Sequence, residues 1–222
     1  MNHLAMKVLS RTCHIVLPPL VVLLLAATAL DTGQDEPSPE PPKGEDTILD
    51  VVKRAQAGDE ASFTTLYQSY HRRIYYYLLR LVGNPEDASD LASETFAKAW
   101  RAIPGILDGR RFRSWLYSIA TRTALDHLRL RKRGQVLWGS PDEDSLDEHA
   151  TGFEDRIEEQ ELIRLALAQV APKPRACLLL QLEGFSQEEI ARQVGLQKKS
   201  VSTYVSMARE QFRRAYHQLQ NQ

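Results

Sequence analysis

Apolar side chains recur at helical spacing along almost the whole chain after residue 46. In residues 63–81 they follow one face of a helix. These positions are Phe63, Leu66, Tyr67, Tyr70, Ile74, Tyr77, Leu78 and Leu81. Turn-forming residues interrupt the pattern at Gly58-Asp59, at Gly83-Asn84-Pro85 and at Pro104-Gly105. No alternating run of β-branched residues indicates a strand, so the pattern predicts an all-α protein.

The helical pattern stops between residues 135 and 156. This stretch mixes Gly, Ser and Pro, and it contains seven acidic residues and one arginine, Arg156. A polar sequence of this kind predicts a flexible acidic linker. We therefore expect an N-terminal helical bundle domain over residues 47–134 and a second helical domain over residues 157–222.

The second domain contains the pattern of a helix-turn-helix. Ser186 and Glu189 form a capping box ahead of an apolar run, and that helix ends at Gly195. Ala191 is the small residue required where the two helices touch, and a new helix starts three to four residues after Gly195. Short donors and cations at that start are of the type that reaches phosphates and base edges. They are Lys198, Lys199, Ser200, Ser202, Thr203, Ser206 and Arg209. A helical hairpin without a DNA role is the alternative.

The stretch Phe112 to Arg133 combines aromatic residues with a basic end. Residues at three-to-four spacing can pack inward: Trp115, Leu116, Ile119, Ala120 and Leu128. The remaining aromatic, hydroxyl and basic side chains cannot all be inward, and an exposed surface of aromatic rings and arginines suits unpaired bases. Alternatively, every ring lies in the core and the basic residues form a solvated helix end.

Charge and motif content exclude several functions. The net charge is −1, but residues 48–134 carry fifteen Lys/Arg against nine Asp/Glu, so charge is segregated by segment. Cys13 and Cys177 lie far apart and indicate neither a disulfide nor a metal site. No Gly-rich phosphate loop, paired histidine ligands or nucleophile with a neighbouring base is present. We predict no catalytic residue, metal or cofactor.

Three motifs in order resemble the sigma factors of bacterial RNA polymerase, in the small two-domain extracytoplasmic-function (ECF) group. The resemblance covers about residues 47–218. The segment DLASETFAKAWRAI, 90–103, looks like the family's helix that grips the coiled coil of the largest core subunit. The segment 112–133 looks like its −10 helix, and FSQEEIARQVGLQKKSVSTYVSMAR, 185–209, looks like its −35 helix-turn-helix. The resemblance implies that this chain directs core polymerase to promoters.

The resemblance also implies residue roles. The core-binding candidates are Asp90, Glu94 and Lys98, which share one helix face. The −10 candidates are Arg110, Arg111, Phe112, Tyr117, Thr121, Arg122, Arg129, Arg131, Lys132 and Arg133. The −35 candidates are the seven residues given above, Lys198 to Arg209. The loop 104–111 corresponds to the family's base-capturing loop, where Gly109 allows a close approach. The implied partners are core polymerase, promoter DNA and an anti-sigma protein.

The chain departs from the family pattern at three places. It has Ser93 where Gln is frequent, Arg122 where Asn is usual, and QKKSVS, 197–202, where the family often has Ser-x-Gly-Thr-Val-Lys. We therefore infer no promoter sequence. The main rival function is a two-domain helix-turn-helix regulator that binds only duplex DNA, without gripping core polymerase. A third possibility is an exported helical interaction protein.

Residues 1–46 conflict with a function on DNA. Lys7 and Arg11 precede the apolar run 15–30, and Ala27-Thr28-Ala29 resembles a cleavage site. A Pro-rich acidic stretch follows. The segment is an export signal, a membrane anchor or the product of a wrongly assigned start, and membrane association stays open. We exclude it from the predicted fold and expect a cytoplasmic protein on the basis of the implied function.

Overall fold

The computed structural model describes residues 45–138 and 154–221. All regular structure in these two stretches is helical, which confirms the predicted fold class. The α-helices are α1 Glu45–Gln56, α2 Glu60–Val82, α3 Pro85–Ala102, α4 Phe112–Trp138, α5 Glu154–Ala168, α6 Pro172–Leu182, α7 Gln187–Val194 and α8 Lys198–Gln220. The N-terminal apolar segment and the middle of the predicted linker, 139–153, lie outside the described residues.

Local capping sets the boundaries of α2 and α3 where the sequence predicts them. The Asp59 carboxylate accepts hydrogen bonds from the backbone N–H groups of Ala61 and Ser62, at 3.3 and 3.2 Å, and so begins α2. Gly83 ends that helix in the left-handed region, at φ 84°. The Asn84 side chain then caps α3 by accepting a hydrogen bond from the N–H of Asp87 at 2.9 Å.

Helices α1 to α4 form the N-terminal bundle, in which α2 packs against the other three. Its centre is lined by Tyr70, Ile74, Tyr77 and Leu78 of α2, all buried. Buried side chains of α3 and α4 complete this core, namely Leu91, Phe96, Ala99, Phe112, Leu116 and Ala120.

The loop between α3 and α4 lies against α1. It contains two short 3₁₀ turns, Ile103–Gly105 and Gly109–Arg111. A Cβ atom at Gly109 would lie 2.9 Å from Cδ1 of Leu49, so this glycine lets the loop pack closely against α1. The Gln56 side-chain amide also donates to the carbonyl oxygen of Ile106 at 2.7 Å. Both contacts fix the loop to the bundle.

Helices α5 to α8 form the C-terminal bundle, and the two bundles are in direct contact. Helix α8 packs against α5, α6 and α7, while α4 packs against α7 and α2 packs against α5 and α6. Helix α4 continues to Trp138 and α5 begins at Glu154, so both ends of the predicted linker 135–156 are helical. The structure therefore adds an interface between the bundles to the predicted architecture.

Candidate polymerase-binding and nucleic-acid-binding surfaces

The core-binding candidates lie on the outer face of α3. Asp90 and Glu94 are exposed, and Lys98 is half-buried. The Lys98 ammonium lies 2.7 Å from Oε1 of Glu94 and also donates to Oγ1 of Thr123 at 3.1 Å. Exposed ion pairs of this kind contribute little to stability. Glu94 and Lys98 can therefore exchange this pair for contacts with a charged partner at a small cost in free energy. The face is available for binding.

The basic end of α4 is a charged surface. Its five predicted cations, Arg122, Arg129, Arg131, Lys132 and Arg133, are all exposed. Arg129 pairs with Asp126 at 3.0 Å, and Nη1 of Arg131 lies 3.3 Å from Oδ2 of Asp87. Arg122, Lys132 and Arg133 make no ion pair within the described part of the chain. These three cations are free to meet phosphates.

The first half of α4 differs from the prediction. Phe112, Tyr117 and Thr121 are buried, with 1%, 0% and 0% of their surface exposed. Their predicted exposure is therefore wrong in this structure, and their role on DNA stays a prediction. The reason is that α4 is covered on more than one side. The Tyr117 ring packs between Tyr77 and Phe185, with centroid distances of 5.1 and 5.0 Å.

Arg110 and Arg111 precede α4 and are exposed. The Asp108 side chain accepts a hydrogen bond from the backbone N–H of Arg110 at 3.0 Å. Its other oxygen lies 3.4 Å from Nε of Arg111. Asp108 thus shapes the turn that presents both arginines beside the start of α4, while the Phe112 ring turns inward against Tyr70, at a centroid distance of 5.4 Å.

The helix-turn-helix predicted from the sequence is confirmed in its geometry. Ser186 accepts a hydrogen bond from the N–H of Glu189, and the Glu189 carboxylate accepts from the N–H of Ser186, which completes the capping box. Gly195 ends α7 at φ 71°, and α8 begins at Lys198. Apolar residues of the two helices and the turn pack inward: Ile190, Val194 and Val201 are buried, and Leu196 and Tyr204 are half-buried.

Most −35 candidates lie on the outer side of the first turns of α8. Five of them are exposed, namely Lys198, Lys199, Ser202, Thr203 and Ser206. Lys198 forms an ion pair with Glu188 of α7. Ser200 is half-buried. Arg209 is half-buried too, and its Nη2 donates to Oε1 of Gln181 in α6 at 2.9 Å, so it is directed toward the bundle. The structure therefore groups the first five candidates and separates Arg209 from them.

Sequence analysis missed a set of charged residues between the bundles. Arg113 meets Glu183, with Nη2 of the arginine 3.4 Å from Oε2 of the carboxylate. Arg164 and Arg175 of the C-terminal bundle donate to backbone carbonyls at the end of α2. The sequence contains a signal for Arg175, because this residue lies inside the apolar run 174–180. In the structure it is only 4% exposed. A charged residue in such a run indicates a buried hydrogen-bonded cation.

The described residues contain neither a membrane-spanning helix nor a metal cluster. No helix within 45–138 or 154–221 is long and apolar enough to cross a bilayer. No group of three or more His, Cys, Asp or Glu in the same ranges is placed to hold a metal ion.

The fold and its charged surfaces define a two-bundle helical protein with a helix-turn-helix at its C-terminal end. The family model described as "Sigma-70 region 2" matches residues 66–134, and the one described as "Sigma-70, region 4" matches residues 160–212. The chain is 31% identical over 176 residues to the RNA polymerase sigma-H factor of Pseudomonas aeruginosa, covering 72% of this chain and 89% of that protein. It is 30% identical over 176 residues to the ECF RNA polymerase sigma-E factor of Haemophilus influenzae, covering 72% and 90%.

A solved structure shares the fold. The sigma factor RpoE from Bartonella quintana, in complex with the anti-sigma factor NepR, has a TM-score of 0.58, is 22% identical, and covers 69% of this chain and 95% of that one. The chain belongs to the sigma factors of bacterial RNA polymerase, in the ECF group. Its function is that of a sigma factor, which starts transcription at promoters. The resemblance drawn from the sequence is confirmed.

Proposed function

We propose that the two bundles recognise different elements of the promoter. The N-terminal bundle, residues 47–134, binds core polymerase through the outer face of α3 and holds the melted −10 strand along α4. The C-terminal bundle, residues 157–222, reads the −35 duplex through the start of α8. The observation that carries this proposal is the order of two family regions on one chain, each with its own exposed charged surface.

On the α3 face, Asp90 and Glu94 meet basic side chains of the coiled coil in the largest polymerase subunit. Lys98 exchanges its contact with Glu94 for an acidic partner group. This assignment is supported by the exposure of both carboxylates and by the weakness of a surface ion pair, which leaves the charges available. Charge complementarity of this kind sets the orientation in which the two proteins bind and the rate at which they associate.

On the nucleic-acid side, the five cations of α4 follow the phosphates of the −10 strand, with Arg110 and Arg111 near the base-capturing loop. Phe112, Tyr117 and Thr121 reach bases only after a rearrangement, because they are buried in the structure. Lys198, Lys199, Ser202, Thr203 and Ser206 contact the −35 duplex. Ser200 and Arg209 contribute from less exposed positions.

The protein acts without a catalytic step or cofactor of its own, since polymerase carries out the chemistry. Its site of action is the cytoplasm, where polymerase and chromosome lie. We also propose an anti-sigma partner, by analogy with the Bartonella sigma factor solved in complex with an anti-sigma factor. Residues 135–156 join the two domains, and residues 1–46 are not needed for either.

The test is reconstitution of the full chain with purified core polymerase. We expect the two to co-elute in gel filtration, and we expect the mixture to synthesise RNA from promoter-containing genomic fragments on which core alone is inactive. A chain that binds duplex DNA but neither co-elutes nor starts RNA synthesis would instead be the two-domain regulator. Duplex binding alone does not distinguish the two functions.

A further inference from the structure

A carboxylate of the first helix of the helix-turn-helix reaches the start of the second. Glu188 of α7 forms an ion pair with Lys198, the first residue of α8, and their side chains are 53% and 61% exposed. The hydrogen bond from Lys198 lowers the pKa of Glu188 below its usual value of 4.5, so this carboxyl group is ionised at neutral pH. A cation at the start of the duplex-reading helix is thus already paired with an anion.

The start of α8 is a place where an anion is favoured. The first N–H groups of a helix lack partners within the helix, and the positive end of the helix dipole lies there. In the described helix Lys198–Gln220, the first turn contains no acidic residue, and the preceding Gln197 makes no capping hydrogen bond with its side chain. The negative charge therefore comes from Glu188, in the place where a DNA phosphate would otherwise bind.

The two lysines at the start of α8 differ in what DNA binding costs them. Lys199 is exposed and makes no ion pair within residues 45–138 and 154–221. It can neutralise a phosphate without losing a contact. Lys198 must first give up Glu188, and the carboxylate also repels the approaching phosphate.

We propose that Glu188 competes with DNA phosphate for Lys198 and so limits the affinity of the helix-turn-helix for duplex DNA of any sequence. Phosphate contacts carry no sequence information, so the carboxylate weakens binding to every duplex. The chromosome offers a very large excess of such sites. Weaker binding to them leaves more of the protein free to meet core polymerase. This inference rests on the proposed contact between the start of α8 and duplex DNA.

The competition is reversible because Glu188 has a second cation within reach. Arg192 lies four residues further along α7, on the same helix face, and its charge also lowers the pKa of Glu188. When a phosphate takes Lys198, the carboxylate can pair with Arg192 instead. An exposed ion pair is worth a factor of about 1.5 to 5 in an equilibrium constant. Such a contact reduces the affinity for DNA without preventing binding.

The first measurement compares Glu188→Gln with the wild-type full chain. Glutamine has nearly the size of glutamate but no charge, and the capping box, which Ser186 and Glu189 form, stays intact. We expect the affinity for a labelled random-sequence duplex, measured by fluorescence anisotropy, to rise about two- to fivefold. The slope of log K against log salt should steepen by at most about 0.9, the value for one phosphate. Circular dichroism should show unchanged helix content.

Glu210→Gln is the matched control. It makes the same change of charge on α8 and also removes a paired carboxylate, since Glu210 pairs with two arginines of this helix. Position 210 lies about 18 Å along the helix axis from Lys198. This distance exceeds the screening length of about 8 Å at physiological ionic strength. We expect the control to change the affinity by less than about 1.5-fold.

A double-mutant cycle tests whether the effect passes through Lys198. In the Lys198→Ala background, Glu188→Gln should change the duplex affinity by less than about 1.5-fold, because the carboxylate then has no cation to withhold from DNA. Lys198→Ala by itself should weaken binding less than Lys199→Ala does. In the Glu188→Gln background, the losses caused by the two lysine substitutions should become similar.

The outcomes separate this inference from the sigma function. An unchanged or lowered affinity of Glu188→Gln would overturn the competition, and so would equal increases with and without Lys198. If neither Lys198→Ala nor Lys199→Ala weakens duplex binding, the proposed contact at the start of α8 fails and the competition fails with it. RNA synthesis with core polymerase, measured on the wild type, tests the sigma function independently, because the duplex measurements need no polymerase.

Discussion

The Tyr77 hydroxyl lies 2.7 Å from Oγ1 of Thr121 in the interior of the N-terminal bundle. The Thr121 hydroxyl itself donates to the backbone carbonyl of Tyr117, one turn earlier, at 2.7 Å. Tyr77 is therefore the donor of the shared bond, and burial raises its pKa far above the usual value, which keeps the proton in place. Thr121, which the resemblance assigns to −10 DNA, thus ties α2 to α4 in this conformation.

Tyr77→Phe should destabilise the N-terminal bundle modestly. The change removes one buried hydrogen bond and keeps the ring, so we expect a decrease of about 0.5–1.5 kcal/mol in the free energy of unfolding, measured by urea denaturation. Tyr67→Phe, at a position with 38% exposure, is the matched control and should leave the stability unchanged within about 0.5 kcal/mol. Equal effects at both positions would contradict a structural role for the buried bond.

Charge reversal on α3 should prevent assembly with core polymerase. Asp90→Lys with Glu94→Lys converts two exposed carboxylates into cations that repel a basic partner surface. We expect the double variant to stop co-eluting with core polymerase and to keep its helical circular-dichroism signal. Glu86→Lys, at an exposed site in the first turn of the same helix, is the control and should still co-elute. Wild-type co-elution of the double variant would refute the core-binding assignment.

Removing cations from the end of α4 should weaken strand binding in a salt-dependent way. Arg131, Lys132 and Arg133 changed together to Ala should lower the affinity for single-stranded DNA. The slope of log K against log salt should fall by about 0.7 for each phosphate that the protein no longer neutralises. Arg101→Ala, an exposed arginine on α3, is the control. Permanganate reactivity of promoter thymines should fall in the triple variant only, and an unchanged salt slope would show that this end does not touch phosphates.

The start of α8 should determine duplex affinity. Lys199→Ala removes an exposed cation and should reduce the salt slope for duplex binding by about 0.9, the value for one neutralised phosphate. Lys173→Ala, an exposed lysine at the start of α6, should leave the slope as it is. Fluorescence anisotropy on a labelled duplex measures both. Similar decreases of the salt slope in the two variants would indicate that the net charge of the protein, and not the start of α8, determines duplex binding.

The capping box should make the helix-turn-helix sensitive to acid. Burial alone would raise the pKa of Glu189, but hydrogen bonds from the N–H and hydroxyl of Ser186 outweigh it and hold the pKa below 4.5. A carboxylate with a lowered folded pKa contributes stability that is present above its unfolded value and is lost as pH falls through the folded value. Ser186→Ala should cost about 1 kcal/mol at neutral pH. Thermal denaturation should show this difference shrinking below about pH 4.5.

Most of the fold could be predicted from local features of the sequence. The ends of α2, α3 and α7 follow from Asp59, Asn84, Ser186 and Gly195, whose side chains or backbone conformation satisfy the free groups of the nearest helix end. Such capping involves residues only a few positions apart, so it can be read directly along the chain. The helix-turn-helix and the family were predictable for the same reason, since their patterns are contiguous.

The sequence by itself thus determined the helices, their caps, the segregation of charge and the family to which the chain belongs. Only the tertiary structure decided which faces of α4 meet solvent. Periodicity indicates one buried stripe per helix, but α4 is covered by α2 on one side and by Phe185 and α7 on another, which buries Tyr117 as well as Leu116. The pairing of Glu183 with Arg113 joins residues 70 positions apart, and no local pattern along the chain specifies such a contact.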